Sequence, residues 1–229
     1  MNADQINAKI YAGRGKVAKR LGISYDVYRP VRAGNPLTNQ VATIKAAFNA
    51  GDGTYKKPNM PGDPIWFGDF DASITRAGDY LVNCFNKGDI RYIAAKQFLL
   101  PILIVECNRS VRLLRTKKEQ AVGYIGYSGV DYEVTENDDI LGVAPDNNSG
   151  KFIGWPCSIL FGKGQMKNAE PLPASSSEQV GWQILLPSSV PVLINADDRL
   201  IDDLGRKYSI SGAEQTDLGW RIKAIEAHQ

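Results

Sequence analysis

The chain has 229 residues, of which 43% are hydrophobic and 23% are charged, and these values are typical of a globular protein with a sizeable core. Its formal net charge of +2 gives no general attraction to nucleic acid or to an anionic membrane. Three cysteines without a C-x-x-C pair argue against a disulfide framework and a cysteine-ligated zinc site. No apolar signal segment is present, and no apolar run reaches the about 20 residues of a membrane-spanning helix. We therefore expect a soluble protein made in a reducing cytoplasm.

Charge is distributed unevenly along the chain. Residues 1–34 contain seven basic and two acidic side chains, whereas the six charged side chains of residues 131–150 are all acidic. This asymmetry fits head-to-tail packing of copies, or contact with partners of opposite charge. Two ordinary solvated faces are an equally good interpretation.

The first predicted element is a helix over residues 3–21, followed by a strand over 23–28. Asn2 or Asp4 can cap the helix, and Gly22 can end it. Gly13 and Gly15 weaken its middle, so we expect a bend or a break there. Residues 35–68 are rich in Pro, Gly, Asn and Lys and are predicted to be largely irregular, with an extended segment over 38–48.

Residues 69–115 are predicted to be a β region. Strands are expected at 78–82, 90–94 and 101–106, with 111–115 returning beside 101–106. Residues 124–134 alternate and predict another strand. Residues 138–150 are predicted to be an acidic loop.

The last part of the chain predicts strands at 159–161, 182–186, 198–201, 206–210 and 218–225. Alternation places one set inward and Arg221 and Lys223 outward; the inward set is Tyr208, Ile210, Leu218, Trp220 and Ile222. The predicted fold is mainly β, with an N-terminal helix followed by small antiparallel β-barrel or sandwich units. The predicted divisions are a helical arm with the first strand (1–34), a β region with a long loop (35–135) and a C-terminal β region (136–229).

One internal repeat is visible. Residues 78–82 and 91–94 echo residues 197–201 and 206–210, with turns that differ in length by a few residues. A true repeat predicts two related β units. Chance similarity between β-meanders is the alternative.

The sequence contains no catalytic constellation. His228 is the sole histidine, which argues against a Ser-His-Asp or Cys-His system and against a multi-histidine metal site. Adjacent carboxylates occur at 138/139, 197/198 and 202/203, but neighbours on a turn rarely converge across a cleft as a glycosidase requires. We therefore predict no catalytic, cofactor-binding or metal-binding residues, and no cofactor.

Residues 17–24 look like the first helix and turn of a helix-turn-helix, within a basic stretch. A recognition helix must follow the turn, but residues 25–29 alternate like a strand and meet Pro30. A DNA-binding regulator that uses residues 16–32 is therefore the alternative function.

The closing stretch resembles a known family. The residues that carry the resemblance are Asp198, Arg199, Leu200, Gly205, Tyr208 and Ile210. They resemble the β-core of tailed-phage head-to-tail joining and adaptor proteins, where a Gly-Asp-Arg-hydrophobic … Gly-x-x-Tyr-x-hydrophobic pattern recurs in small β-barrels that stack as rings below the portal. Asp197 stands where that pattern has its leading glycine. A second, looser match consists of Gly78, Asp79, Leu81 and Tyr92.

The resemblance implies a non-enzymatic structural component of a tailed-phage virion, a head-to-tail adaptor or tail ring protein that acts by oligomeric assembly. It implies a homo-oligomeric ring that contacts the portal or other tail proteins, with genomic DNA passing through the lumen without sequence readout. Its place would be the tail or the head-to-tail junction, after synthesis in the host cytoplasm. We expect the helix to pack on another subunit or protein, with inter-subunit contacts from Ile6, Ile10, Lys16, Arg20, Arg221 and Lys223. A tail-associated glycan hydrolase is the weaker alternative.

Overall fold

The structure, a computed structural model, describes residues 2–51, 63–116, 137–143, 153–162 and 181–227. It is mainly β, with an N-terminal helix followed by two closed six-stranded antiparallel barrel units, as the sequence predicts. In chain order the elements are α1 (Ala3–Leu21), β1 (Ile23–Tyr28), β2 (Gln40–Asn49), β3 (Ile65–Phe70), β4 (Tyr80–Asn83), β5 (Ile90–Ala95), β6 (Ile102–Cys107), β7 (Arg109–Thr116), β8 (Asn137–Leu141), β9 (Trp155–Phe161), β10 (Gly181–Leu186), β11 (Arg199–Asp202), β12 (Lys207–Thr216) and β13 (Gly219–Glu226).

Both barrels have the same strand order. Barrel 1 closes as β1-β2-β3-β6-β5-β4, and barrel 2 closes as β7-β9-β10-β13-β12-β11 through the pairing of β11 with β7. β8 and β9 pair with successive parts of β7, at 113–116 and 109–111, so together they take the place of β2. The predicted internal repeat is therefore present in the strand order, and it covers both barrels in full.

A buried carboxylate held by an arginine fixes the entry to β4 in barrel 1. Asp79 is only 2% exposed, and it accepts hydrogen bonds from Nε and Nη2 of Arg29 at 2.9 and 2.7 Å. Nη2 of Arg29 also donates to the carbonyl oxygen of Ile74, and the backbone N–H of Arg76 donates to Asp79. Because Arg29 follows β1 and Asp79 precedes β4, this Arg–Asp clasp joins the two neighbouring strands at one end of the barrel.

Barrel 2 repeats this clasp, with its backbone partners at the same offsets from the aspartate. Asp198 is 3% exposed and accepts from Nε and Nη2 of Arg115, both at 2.8 Å. Nη2 of Arg115 donates to the carbonyl of Leu193, five residues before the aspartate, and the N–H of Asn195 donates from three residues before it. Ile74 and Arg76 likewise lie five and three residues before Asp79. The side-chain hydrogen bonds therefore show the duplication independently of the strand order.

The strand register corrects one detail of the internal repeat as matched by sequence, which makes Tyr92 the counterpart of Tyr208. Arg91 pairs with Leu81 as Tyr208 pairs with Leu200, so Arg91 is the counterpart of Tyr208. Tyr92 instead corresponds to Ser209, one residue further along. The two tyrosines that match by sequence are thus not equivalent in structure.

Two hydrophobic clusters form the core. One fills barrel 1 and includes Tyr25, Phe70 and Ile104. The other fills barrel 2 and continues to the outer face of barrel 1, where the hydroxyl of Tyr80 donates to the carbonyl of Pro156 at 2.8 Å. The barrels therefore pack against each other through apolar side chains. The chain passes from one barrel to the other at Asn108, between β6 and β7. The predicted divisions at 34 and 135 stay predictions.

The helix α1 packs on its own chain. Ala18 is fully buried, and a Cβ at Gly15 would lie 3.0 Å from the Cβ of Asp71, so this glycine allows close approach to the barrel. The helix has no break at Gly13 or Gly15, contrary to expectation, and a capping box at Asn2 begins it. The prediction assumed few partners for α1 within the chain; the structure gives it contacts with β2 and β3.

Most predicted strands are confirmed, including 23–28, 182–186 and 206–210, and Trp220 is buried as the alternation requires. Some predictions were wrong. β3 lies in the predicted irregular region, part of the predicted acidic loop is β8, and Leu218 lies on a turn, 40% exposed. The segment 111–115 does not return beside β6 but begins barrel 2. The predicted strand at 124–134 lies outside the described residues.

Gly78 and Asp197 occupy equivalent positions, and both have a positive φ, 89° and 73°. A Cβ at Gly78 would lie 2.6 Å from the side chain of Ser189, whose hydroxyl donates to the carbonyl of Gly78. Ser189 belongs to barrel 2, so Gly78 lies in the contact between the barrels, whereas Asp197 is exposed. This explains why the repeat keeps glycine at one position and replaces it at the other.

We expect the arginine of each clasp to be worth more than an ordinary surface ion pair. Arg29→Ala or Arg115→Ala leaves a buried carboxylate without its charged partner, so the free energy of unfolding should fall by about 2–4 kcal/mol. Arg29→Lys should restore only part of this, because lysine lacks the two-pronged donor geometry. Urea denaturation followed by tryptophan fluorescence measures the change. Arg76→Ala is the control, because Arg76 takes part in the clasp only through its backbone N–H, which alanine keeps. A loss as large as in Arg29→Ala would contradict the assignment.

The paired positive-φ positions give a second expectation. Gly78→Asp should cost at least the about 1–3 kcal/mol typical of overpacking, because the new side chain meets Ser189. Asp197→Gly should leave stability within about 1 kcal/mol of wild type, since glycine relieves the left-handed backbone but makes the unfolded chain more flexible. Thermal unfolding of the two variants tests this contrast, and equal losses would show that Gly78 is not constrained by barrel 2.

Candidate protein-docking site

An open groove of about 380 Å³ lies at one end of barrel 1, beside the end of α1. The end of the barrel where β1 begins is called here the mouth. The lining side chains are mainly apolar: Val17, Leu21, Ile23, Tyr25, Ala46, Ala47, Phe48, Asn49, Trp66 and Arg91. Such a groove suits an apolar or aromatic group of a partner better than a small polar substrate.

Three elements build this groove. The last turns of α1 bury Ala18 against the barrel and leave Val17 and Leu21 exposed at the rim. β1 begins immediately after Gly22, where a Cβ would meet the carbonyl oxygens of Ala18 and Ala46 at 2.6 Å. Glycine at this position therefore lets the helix end directly on β2, which places its apolar residues beside the mouth.

The floor of the groove is a cation–aromatic stack. The guanidinium of Arg91 lies 4.4 Å from the ring centre of Phe48 and 5.3 Å from that of Trp66. Nε of Arg91 donates to Asp89 at 3.0 Å, while the buried Nη1 of Arg91 and Nε1 of Trp66 have no hydrogen-bond partner among the residues that the structure describes. The floor is therefore aromatic, with a guanidinium whose charge is paired with Asp89 and lies 4.0 Å from Glu106.

A small polar network supports this floor from the side of β5. The hydroxyl of Tyr25 and the side-chain amide of Asn83 both donate to Oδ2 of Asp89, at 2.7 and 3.0 Å. Burial, followed by the Asp89 carboxylate, raises the pKa of Tyr25 above its ordinary value. Burial alone would raise the pKa of Asp89, but hydrogen bonds from Asn83, Tyr25 and Arg91 outweigh it and lower that pKa. Asp89 is thus held as an anion that orients Arg91.

Barrel 2 has a corresponding mouth. Trp182 pairs with Ala224 as Trp66 pairs with Ile104, which makes the two tryptophans equivalent. The ring of Trp182 lies edge-to-face with Tyr208 at 5.7 Å and with Phe161 at 5.1 Å. The hydroxyl of Tyr208 donates to Asp202, and burial followed by that carboxylate raises the pKa of Tyr208 to about 12.

Large apolar side chains project from equivalent turns of the two barrels. The backbone N–H of Phe85 donates to Oδ1 of Asn83, and that of Leu204 donates to Oδ1 of Asp202 in the same way. Both side chains are exposed, and Phe85 is the more exposed at 81%. Ile74 and Leu193, whose carbonyls accept from the two clasps, are exposed as well. Exposed apolar side chains on rigid turns are typical of protein-binding surfaces.

The six predicted contact residues fall into two separate groups. Ile6, Lys16 and Arg20 are exposed on α1, and Ile10 is half-buried there. Arg221 and Lys223 are exposed on β13 of barrel 2, where Arg221 pairs with Glu214. Lys16 and Arg20 flank the rim residues Val17 and Leu21 in sequence, so this part of the prediction lies next to the groove. Whether any of the six contacts another subunit stays a prediction.

The residues of the two alternative functions have structural roles. Those that would form a recognition helix after residues 17–24 are strand β1, so no helix-turn-helix is formed there. Asp198 is held in the clasp, and Asp202 accepts from two backbone N–H groups of its own turn and from Tyr208. Within the described ranges, no three His, Cys, Asp or Glu side chains are grouped to hold a metal ion, and no helix is long and apolar enough to cross a membrane.

Comparisons with protein-family models, with curated proteins and with solved structures find no match for this chain.

The groove has no local signal in the sequence. Phe48, Trp66 and Arg91 are far apart in the chain and meet only when the barrel closes. Phe85 could have been found, because an aromatic residue in the polar turn Asn83–Asp89 breaks the rule that turns are polar. Trp66 was missed because it lies in the Pro-rich segment that predicted a loop.

The raised pKa values predict a loss of stability at high pH. A tyrosine whose pKa is higher in the folded than in the unfolded state contributes stability that is complete below pH about 10 and is lost as pH rises toward 12. Tyr208→Phe removes one such group, so its free energy of unfolding should fall less steeply in this range, by up to about 1.4 kcal/mol per pH unit. Urea denaturation at a series of pH values measures both slopes. Parallel curves for the two proteins would contradict the raised pKa.

Proposed function

We propose that the protein is a non-enzymatic structural component of a tailed-phage virion, a head-to-tail adaptor or tail ring protein that acts by oligomeric assembly. The observation that carries this proposal is the duplicated barrel, in which large apolar side chains project from equivalent turns and an open apolar groove lies at the mouth of barrel 1. Such side chains lower solubility when left exposed, and a partner that covers them explains their presence.

The resemblance to phage adaptor proteins supports the same proposal. Its residues lie immediately before β11, on β11, on its turn and on β12: Asp198 forms the clasp, Gly205 takes a positive φ of 81° in the turn, and Tyr208 is buried. The pattern thus has a physical basis in a closed small barrel. The looser match around Gly78 lies at the same place in barrel 1, in keeping with stacked barrel units.

The proposed role also gives the exposed charges a use. Arg221 and Lys223 lie on the outer face of barrel 2, and Lys16 and Arg20 lie on α1. In an assembled ring, such side chains would contact neighbouring subunits, portal or tail proteins, or face a channel that carries DNA without reading its sequence.

Electron microscopy of purified particles tests this role, with mass spectrometry of their protein content. The expected result is density for paired barrels in several copies at the tail or the head-to-tail junction. Particles that lack the protein, or that assemble normally and infect without it, would overturn the proposal.

A charge reversal gives a sharper test of the assembly surface. Arg221→Glu replaces an exposed side chain, so the melting temperature should change little, while incorporation into particles should fall about tenfold or more, equivalent to about 1.4 kcal/mol of lost contact energy. Lys45→Glu reverses an exposed charge on the outside of barrel 1 and is the matched control. Equal incorporation of the two variants would remove Arg221 from the assembly surface.

A further inference from the structure

The mouth of barrel 2 shows how the tryptophan at this position can be covered by aromatic rings. Trp182 is contacted edge-to-face by Tyr208 and by Phe161, its partner on the neighbouring strand, whose ring centre is 5.1 Å away at an interplanar angle of 74°. Phe161 is the last residue of β9 and is itself still exposed. Barrel 2 thus covers its own tryptophan with an aromatic ring of the same chain.

In the described part of barrel 1, the equivalent tryptophan, Trp66, has no such aromatic ring beside it. Phe48 is the counterpart of Ile159, because both lie opposite equivalent residues of the next strand, Gly68 and Ile184. Two residues after Ile159 comes Phe161, whereas two residues after Phe48 comes Ala50. In the part of the chain that the structure describes, no aromatic ring stacks on Trp66; Arg91 does so from within, and the groove lies open beside it.

Phe85 has the properties that an occupant of this groove requires. Its side chain is 81% exposed, the highest value among the large hydrophobic residues described. Its backbone is held by Asn83, which is 6% exposed and also donates to Asp89. An aromatic side chain on a rigid turn loses little conformational entropy on binding, which is the property of an interface anchor.

The positions of the groove and Phe85 favour contact between different copies. Both lie at the mouth of barrel 1, since Asn83 pairs with Tyr25, which lines the groove. In the strand order, however, the β4–β5 turn and the β2–β3 side of the groove are separated by β1 on one side and β6 on the other. Lys87, two residues after Phe85, forms an ion pair with Asp26 at 2.9 Å. Its charge is therefore paired and does not repel the basic end of α1.

We propose that Phe85 of one copy inserts into the groove of the next and covers Trp66 as Phe161 covers Trp182. This inference deepens the assembly role proposed above and rests on it, because it names a second copy of this chain as the partner. The contact is heterologous, joining a knob on one copy to a different surface on the next. Repetition of such a contact builds a closed ring or an open filament, depending on the rotation between neighbours.

Self-association of the full chain tests this contact directly. Sedimentation velocity over a concentration series should show wild type as oligomers, and Phe85→Ser should raise the dissociation constant about tenfold or more, the effect of losing an interface anchor. Leu204→Ser is the matched control, since Leu204 is the exposed counterpart on the equivalent turn of barrel 2, and it should leave the constant unchanged. A monomeric wild type, an unaffected Phe85→Ser, or an equal effect of Leu204→Ser would each overturn the proposal.

A second variant examines the other half of the contact. Leu21→Glu places a charge at the rim of the groove without disturbing buried residues, and it should weaken association as Phe85→Ser does. Mixing the two variants should restore dimers, because the Phe85→Ser copy keeps its groove and the Leu21→Glu copy keeps its knob, but no larger assembly should form. Unchanged thermal unfolding of both variants shows that they are folded. A mixture that stays monomeric, or that restores full oligomers, would contradict a heterologous contact.

These outcomes are distinct from those for the proposed function. If Phe85→Ser and Leu21→Glu abolish self-association but particles do not contain the protein, the contact stands and the virion role fails. If particles contain the protein but both substitutions leave self-association unchanged, the virion role stands and the Phe85 contact fails.

Discussion

The Arg–Asp clasp is the interaction on which each barrel depends most. A barrel closes only when its first strand pairs with a strand that is more than fifty residues away in barrel 1, and this pairing must be aligned before its hydrogen bonds can form. Arg29 and Asp79 lie at the end of that pairing, and the guanidinium also binds the loop that leads into β4. Asp79 is only 2% exposed, and a buried carboxylate that loses its charged partner destabilises a protein strongly, so closure and charge pairing support each other.

The differences between the barrels follow from what covers each face. The outer residues Tyr80 and Tyr92 of barrel 1 are buried against barrel 2, whereas their counterparts Arg199 and Ser209 are exposed. The covered face is aromatic and the uncovered face is polar, although the backbone is the same. A further barrel would therefore meet a polar surface at this face of barrel 2. Repeating the internal contact between copies is not favoured, so any assembly requires other surfaces.

Whether a strand face is exposed or covered also explains how much of the fold could be predicted from the sequence. Strands with one face in water alternate clearly, and β1, β5 and β13 could be placed to within one or two residues. β9 is buried on both faces and shows no alternation, so only its exposed end was found; β8 lies in an acidic stretch that resembles a loop. The repeat was weak in sequence because outer positions such as Tyr80 and Arg199 diverged with their surroundings. The arginine and the aspartate of each clasp are shared by both barrels, but they lie about fifty and eighty residues apart in the chain, so they carried little local signal.

The groove is the last consequence of the duplication. Two barrels with the same mouth need the same protection of their tryptophans, and barrel 2 supplies it from its own β9. In barrel 1 the equivalent strand ends in Asn49 and Ala50, and α1 instead covers the side of the barrel, through Ala18, without filling the mouth. Arg91 occupies the position that Tyr208 has in barrel 2, which fits this difference. Its guanidinium lies near Phe48 and Trp66 while its Nε donates to Asp89. Within the described residues, barrel 2 therefore places an aromatic ring of its own beside this tryptophan, whereas barrel 1 leaves an apolar groove beside Trp66.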